Sequence, residues 1–281
     1  MTRDGVAIGV VGAGLMGGSL LRAVRARWPG GHLVAVEPDD RTRADVQAAS
    51  IADSVVAAPD ASLERCELVV LCAPIAAIEA LLSPVSRCMS DGAVLTDVAG
   101  AKRSVVDAAR SRVREGVRFV GAHPMFGGAS GGFGRADGER WRGGKVAVCT
   151  DGGDEGAVER VVELHRALGA DVMLCTADEH DRAVALVSHL PYLMASALAL
   201  LTEHEIPLAR ALGGRGLADA TRLASFSFAV QGKVARRNEH LRPCVDALCA
   251  QLRALADALD AEEPIAREAF ERARVAKGAL P

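Results

Sequence analysis

Aromatic side chains are scarce in this sequence. Phe, Trp and Tyr together make up 3% of the 281 residues, although hydrophobic residues make up 50%. A core with so few aromatics has to be built from Ala, Val and Leu, which favours helices and parallel strands. The chain also exceeds the usual size of a single domain, so we expect two domains or one large one.

An excess of positive charge is also lacking. Lys and Arg number 33 against 36 Asp and Glu, and the formal net charge is -3. Nucleic acids and anionic membranes bind basic surfaces, and no basic stripe interleaved with aromatics occurs in this chain. We therefore expect a small molecule as the partner, and neither nucleic acid nor a membrane.

Cysteine pairs and an export signal are missing as well. The seven cysteines contain no Cys-x-x-Cys pair, so they indicate scattered reduced thiols rather than a metal or redox centre. Residues 1–5 lead into a strand-like segment without an apolar signal region. The most apolar long segment, residues 183–201, includes Ser188, His189 and Pro191 and is interpreted as a buried helix. These features predict a cytoplasmic protein.

A glycine motif between a strand and a helix is the first positive signal. Residues 6–11 are a continuous apolar run, typical of a parallel strand, and GAGLMGGS follows at 12–19 before a helical pattern. Gly12 allows a tight turn, Gly14 lets the backbone approach a pyrophosphate, and Gly17 lets the helix pack closely. The motif in this context predicts a dinucleotide site. Its predicted cofactor contacts are Gly12, Gly14, Leu15, Met16 and Gly17.

The acid after the second strand indicates which dinucleotide is bound. Residues 32–36 form an apolar run that ends at Glu37, where a ribose-binding carboxylate is expected. A carboxylate there accepts hydrogen bonds from the ribose and repels a 2'-phosphate, which favours NAD. Arg41 and Arg43 follow closely and could reach such a phosphate, so NADP stays possible.

Further strand patterns alternate with helical ones and predict a Rossmann-type, doubly wound α/β sheet. The predicted strands are residues 68–74, 93–98, 118–123 and 145–150. Ligands gather at the carboxyl ends of strands in such sheets. Pro74 and Asp97 are therefore predicted cofactor contacts, and His123 is a candidate catalytic residue. The glycine-rich residues 127–134 are predicted as a mobile loop over this site.

A change of pattern near residue 175 predicts a domain boundary. Thr176 and Glu179 have the spacing of a capping box at a helix start. Helical periodicity without a strand pattern continues to the C-terminus. The prediction is a dinucleotide-binding domain at 1–175 and an all-helical domain at 176–281.

Six motifs in this chain resemble those of the prephenate and arogenate dehydrogenase family of tyrosine biosynthesis. They are GAGLMGGS at 12–19, DVAGAK at 97–102, GAHPM at 121–125, HD at 180–181, SHLP at 188–191 and TRLAS at 221–225. The resemblance implies NAD-dependent oxidative decarboxylation of prephenate or arogenate to 4-hydroxyphenylpyruvate or tyrosine. It also implies a homodimer formed through the helical domain.

The resemblance assigns roles to three residues. His123 matches the histidine that takes the proton of the ring hydroxyl, a role suited to a neutral imidazole. Arg222 matches the arginine that holds a substrate carboxylate, for which a guanidinium is well shaped. His189 matches a histidine of the helical domain near the substrate.

Two departures from the family pattern lie near the expected substrate. Gly100 stands where the family commonly has a serine that binds the ring hydroxyl. Tyr192 stands where a second histidine often follows the SHLP motif. Both positions are predicted to contact substrate, and they leave its identity open. A water could replace the serine hydroxyl, or the substrate could be a 4-amino analogue of prephenate.

Two other functions remain possible from the sequence. A 3-hydroxyacid-type dehydrogenase shares the domain order but has a catalytic lysine early in the helical domain, and residues 178–200 contain no lysine. A regulator that senses NAD without turnover could have lost the serine, but the retained His123 and Arg222 argue against it.

Overall fold

A six-stranded parallel sheet forms the centre of the N-terminal region in the computed structural model, which describes residues 6–127, 131–151, 154–204 and 207–279. The strands are β1 (Ala7–Val11), β2 (His32–Val36), β3 (Ser54–Val56), β4 (Leu68–Leu71), β5 (Val94–Asp97) and β6 (Arg118–Val120). Their spatial order is β3-β2-β1-β4-β5-β6, and each strand is parallel to its neighbours. This doubly wound order confirms the predicted Rossmann-type fold.

Helices cover both faces of this sheet. They are α1 (Leu15–Arg27), α2 (Asp40–Ala48), α3 (Ile75–Arg87), α4 (Arg103–Arg112) and α5 (Glu155–Ala167). The buried residues form two clusters dominated by Ala, Val and Leu. The strands β1, β2, β4 and β5 are buried along most of their length, as expected for strands covered on both faces.

A second sheet of three strands carries His123. It consists of β7 (Ala122–Pro124), β8 (Lys145–Cys149) and β9 (Asp171–Cys175), in which β7 and β8 are antiparallel and β8 and β9 parallel. The single strand predicted at 118–123 is therefore wrong, because the chain leaves the first sheet at Gly121 and enters the second. A side chain at Gly121 would lie 3.2 Å from Val106. The Gly121 carbonyl accepts a 2.8 Å hydrogen bond from the Cys149 N–H, which belongs to the second sheet.

The helical region begins at the predicted capping box. The Thr176 hydroxyl accepts from the Glu179 N–H at 3.2 Å, and the Glu179 carboxylate accepts from the Thr176 N–H at 2.8 Å. The first helix, α6 (Ala177–Val184), passes through a π-helical turn at Ala185–His189. Pro191 follows this turn, and a proline has no N–H to continue the regular helical ladder.

The remaining helices follow in the order of the chain. They are α7 (Leu190–His204), α8 (Pro207–Leu212), α9 (Arg215–Thr221), α10 (Lys233–Ala235), α11 (Leu241–Leu259) and α12 (Glu263–Gly278). A 3-10 turn covers Arg222–Ser225, and a second π-helical turn covers Phe228–Gly232. By its internal contacts the chain divides into compact units at 1–238 and 239–281. The functional boundary at 175 stays a prediction.

The helical stretch Ala177–Glu203 is less buried than the sequence predicts. By length and composition this helix could cross a membrane, because the mean hydropathy of its most apolar window is 1.8. Within the chain, 28% of that window is buried. One such helix is weak evidence for a membrane span, because core helices of soluble proteins meet the same criteria. Several of its apolar side chains, such as Leu186, Val187 and Met194, are exposed. The expectation of a buried helix is thus not met within one chain.

Buried His165 makes the fold sensitive to acid. Its Nδ1 accepts a 2.9 Å hydrogen bond from the Trp141 indole N–H, and burial lowers its pKa from 6.5 to about 4. The unfolded chain therefore binds a proton at higher pH than the folded chain. The contribution of neutral His165 to the free energy of unfolding is fully present above pH 6.5. As pH falls toward 4, the free energy of unfolding decreases by roughly 3 kcal/mol.

His165→Gln should weaken this acid sensitivity, because glutamine keeps an acceptor oxygen for Trp141 but does not titrate. We expect its free energy of unfolding to fall less than that of the wild type between pH 6.5 and 4. Urea unfolding at a series of pH values measures both slopes. Identical slopes for the two proteins would contradict the prediction.

Candidate active site

The glycine motif forms a loop whose shape suits a dinucleotide. Gly12 has a φ of +93°, and a side chain there would lie 2.5 Å from the Cys72 carbonyl oxygen. A side chain at Gly17 would lie 1.8 Å from the Gly12 oxygen, whereas Gly14 faces open space. Side chains are thus excluded where α1 packs against the loop, and the backbone is accessible where a pyrophosphate would bind.

Glu37 lies beside this loop, as predicted. Its carboxylate accepts hydrogen bonds from the Ala13 N–H at 2.7 Å and the Asp39 N–H at 3.0 Å. Arg43 donates to the Glu37 carbonyl at 2.9 Å and the Pro38 carbonyl at 3.1 Å, and it pairs with Asp40. The Arg43 guanidinium is therefore engaged by the protein itself.

A buried ion pair fixes the residue before His123. Lys102 Nζ lies 2.5 Å from Asp97 Oδ2, and both side chains are fully buried. Lys102 also donates to the Ala122 carbonyl at 2.7 Å, and Asp97 Oδ1 accepts from the Ala122 N–H at 3.1 Å. The Asp97 carboxylate thus holds the protein's own backbone, and the cofactor contact predicted for Asp97 stays a prediction.

A chain of hydrogen bonds orients the His123 ring. His123 Nδ1 lies 2.9 Å from His180 Nε2, and His180 Nδ1 lies 2.7 Å from Asp181 Oδ1. An ionised Asp181 can only accept, so a neutral His180 donates through Nδ1 and accepts at Nε2. His123 must then donate through Nδ1, which leaves the lone pair on its Nε2.

The electrostatic surroundings favour this protonation state. Burial raises the pKa of Asp181, but hydrogen bonds from His180 and from the Lys102 and Arg103 N–H groups outweigh it, and the net pKa is lowered. Desolvation, followed by the nearby His180 and Lys102, holds the pKa of His123 well below 6.5. His123 is therefore a neutral base near pH 7.

Gly100 lies next to the free nitrogen of His123. A side-chain carbon built on Gly100 would be 3.5 Å from His123 Nε2 and 2.9 Å from Val234 Cγ1. A valine methyl thus lies against the position where the family has a serine. The glycine at position 100 thus has a packing explanation, because Val234 occupies space that a larger residue at 100 would need.

Enlarging Gly100 should destabilise the protein unless Val234 is made smaller. We expect Gly100→Ser and Gly100→Ala each to lose about 1–3 kcal/mol of unfolding free energy through overpacking. The double substitution Gly100→Ser with Val234→Ala should recover much of this loss. Urea unfolding measures it, and a Gly100→Ser variant as stable as the wild type would contradict the packing argument.

A cavity of about 370 Å³ extends from the glycine loop to Gly100, the neighbour of His123 Nε2, although His123 itself is not among its described lining residues. Leu15, Met16 and Pro74 line one part, and Gly100 and Val234 line another. The cofactor contacts predicted for the first three residues stay predictions. Gly127 and Gly131 also line it. Of the predicted loop 127–134, residues 128–130 lie outside the described residues, and Phe133 is buried.

The structure does not place all predicted substrate residues at this cavity. His189 is buried, its Nδ1 lies 3.1 Å from Asn238 Nδ2, and burial lowers its pKa to about 4. Tyr192 is half-buried and Arg222 is exposed, and neither lines the described part of the cavity. Their contacts with substrate stay predictions. Arg222 does not pair with Asp219, which lies 3.8 Å from Arg215 instead.

Sequence reasoning gave no role to His180, Asp181 or Lys102. All three residues occur in the motifs quoted above. The adjacent His180 and Asp181 near the start of a predicted helix were the sequence feature from which a role could have been inferred. Asp181 also accepts hydrogen bonds from the Lys102 N–H at 2.7 Å and the Arg103 N–H at 3.0 Å. It therefore connects the start of α4 to the ring that orients His123.

Family models match most of the chain. Residues 20–174 match the nucleotide-binding domain of prephenate dehydrogenase, and residues 176–271 match the dimerization domain of prephenate dehydrogenase.

Individual relatives and solved structures agree with these matches. Prephenate dehydrogenase from Bacillus subtilis is 26% identical over 82% of this chain, which spans 63% of that protein. The arogenate dehydrogenase structure from Synechocystis superposes with a TM-score of 0.86 and 26% identity, covering 97% of this chain and 99% of that one.

The prephenate dehydrogenase structure from Aquifex aeolicus, solved with hydroxyphenyl propionate and NAD+, has a TM-score of 0.89 at 22% identity, with 98% of both chains covered. At this identity it supports the fold alone. Because both family models match, and together cover most of the sequence, the chain belongs to the prephenate dehydrogenase family.

Proposed function

We propose that this protein catalyses the NAD-dependent oxidative decarboxylation of prephenate or arogenate. The observation that carries the proposal is the free Nε2 of His123, which the bonds to His180 and Asp181 fix next to Gly100, a residue in the wall of the cavity that begins at the glycine loop. A neutral base next to a dinucleotide loop suits oxidation of an alcohol.

The steps follow from the position of this base. His123 Nε2 takes the proton of the ring hydroxyl, while the hydride of the same ring carbon departs and a carbonyl forms. When bound, NAD supplies the hydride acceptor. The ring carboxylate then leaves as carbon dioxide, and its electron pair makes the ring aromatic with a phenolate oxygen. That oxygen recovers the proton from His123, whose positive charge His180 and Asp181 stabilise in the meantime.

The surroundings of the glycine loop support NAD over NADP. The Glu37 carboxylate beside Ala13 repels a 2'-phosphate, and Arg43 is already bound by carbonyl groups and Asp40. Arg41 is exposed and is the residue through which NADP could still be accepted.

The 4-amino analogue of prephenate is a second candidate substrate. The observation in its favour is Val234 beside Gly100, where the family has a serine hydroxyl. In place of that hydroxyl the ring substituent meets a methyl group, and His123 Nε2 is an acceptor. An amine can donate to this single acceptor, and the electron flow is otherwise the same.

A homodimer through the helical domain is part of the proposal. The match to a dimerization domain covers residues 176–271, and apolar side chains such as Leu186 and Val187 are exposed within one chain. Burial of these side chains by a second copy would remove them from water. A cytoplasmic location is proposed with it.

Turnover assays test the function directly. Purified protein is given NAD or NADP with prephenate, arogenate, the amino analogue or a 3-hydroxyacid, and absorbance of the reduced cofactor is followed. We expect turnover with a cyclohexadienyl substrate and a preference for NAD. NAD binding without turnover would indicate a regulator, and turnover of the hydroxyacid alone would indicate the other dehydrogenase class.

A further inference from the structure

The described wall of the cavity next to Gly100 contains one charged residue. Among the described residues that line it, Lys233 is the only one with an ionisable amine or carboxylate, and most of the others are apolar or glycine. An ammonium group at the edge of a cavity with apolar walls can pair with an anion that the cavity holds in place, although water screens the pair on its exposed side.

Lys233 has no partner among the described residues. It is exposed, and its amine makes no hydrogen bond or ion pair with them. The other cations near the site are engaged, since Lys102 is paired with Asp97 and Arg43 with Asp40. The charge of Lys233 is therefore available to a ligand.

The position of Lys233 favours the substrate over the cofactor. Its neighbour Val234 lies against Gly100, which in turn lies beside His123 Nε2. Lys233 thus belongs to the segment that bounds the substrate part of the cavity. The phosphates of a dinucleotide already have backbone N–H groups at Gly14 and the N-terminus of α1.

We propose that Lys233 binds the side-chain carboxylate of the substrate and thereby helps to determine specificity. The inference rests on the proposed function for the identity of that substrate, but the cation in the cavity wall is an observation of its own. Arg222, the residue expected for this task from the sequence, does not line the described part of the cavity. The two cations could hold the two carboxylates of prephenate.

Matched ligands and variants test this role. The ligands are 3-(4-hydroxyphenyl)propionate and its uncharged amide, titrated by calorimetry into the NAD-saturated protein. The variants are Lys233→Met, which removes the charge, and Lys233→Arg, which keeps it. Lys277→Met, at an exposed lysine of α12, is the control.

We expect Lys233→Met to weaken binding of the acid about 10–100-fold and to leave binding of the amide within about threefold. Lys233→Arg and Lys277→Met should bind both ligands nearly as the wild type does. In turnover, Lys233→Met should raise KM for prephenate by a similar factor, with a much smaller change in kcat.

Equal effects of Lys233→Met on acid and amide, or no effect on either, would overturn the proposal. A weaker affinity for NAD with an unchanged preference for the acid would also overturn it, by assigning the cation to a cofactor phosphate. Because the binding comparison does not depend on turnover, a wild type that oxidises no cyclohexadienyl substrate would contradict the proposed function alone.

Discussion

Replacing His123 by alanine is expected to lower kcat by about 10²–10⁴-fold, the usual contribution of a positioned general base. KM should change far less, because the ring nitrogen acts mainly when the proton is transferred. Steady-state kinetics with prephenate and NAD measures both constants. Arg222→Ala is the comparison, and it should chiefly raise KM, since a carboxylate-binding arginine contributes to ground-state binding.

The pH dependence of the wild type should identify the same group. The pKa of His123 is held well below 6.5 by desolvation and by the nearby His180 and Lys102. Its neutral form therefore persists as pH falls through 6.5, and kcat/KM, which reports on the groups of the free enzyme, should decline only at lower pH. Small and equal losses in His123→Ala and Arg222→Ala, or an acid limb at or above 6.5, would contradict the assignment.

Asp181→Asn is expected to lower kcat by roughly 10²–10⁴-fold, although Asp181 does not contact His123. With its amide nitrogen at the position of Oδ1, the introduced asparagine would donate to His180 Nδ1 and leave the Lys102 N–H without an acceptor. His180 would then accept at Nδ1 and carry its proton on Nε2. His123 would have to accept at Nδ1, and its own proton would move to Nε2, where the base is needed. The loss of negative charge would also remove stabilisation from the protonated His123.

Structural damage can be separated from this effect. Asp181 also accepts from the Lys102 and Arg103 N–H groups, so Asp181→Asn can destabilise α4 as well. Thermal unfolding and NAD affinity report on that damage, while kcat in a folded, NAD-binding variant reports on the tautomer. Asp178→Asn, on the same helix, is the control and should keep kcat near that of the wild type. A folded Asp181→Asn variant with full kcat would refute the hydrogen-bond chain.

Local patterns were sufficient to predict much of this fold. The apolar run at 6–11 and the glycine motif at 12–19 form β1 and the loop before α1, because both depend on residues adjacent in sequence. The capping box at Thr176 and the disturbance before Pro191 are local in the same way. The short β3 and the change of sheet at Gly121 were missed, since they depend on neighbours distant in the chain.

The sequence by itself determined the fold class and the dinucleotide loop, because those depend on local backbone preferences and motif spacing, and the resemblance of its motifs to a known family assigned His123 as the candidate base. Only the tertiary structure decided which ring nitrogen of His123 is free, because that depends on the hydrogen bonds from His123 to His180 and from His180 to Asp181. His123 and His180 lie on opposite sides of the predicted domain boundary at residue 175. It also placed Val234 against Gly100 and Lys233 in the cavity wall. Contacts between residues far apart in sequence arise only when packing brings their elements together.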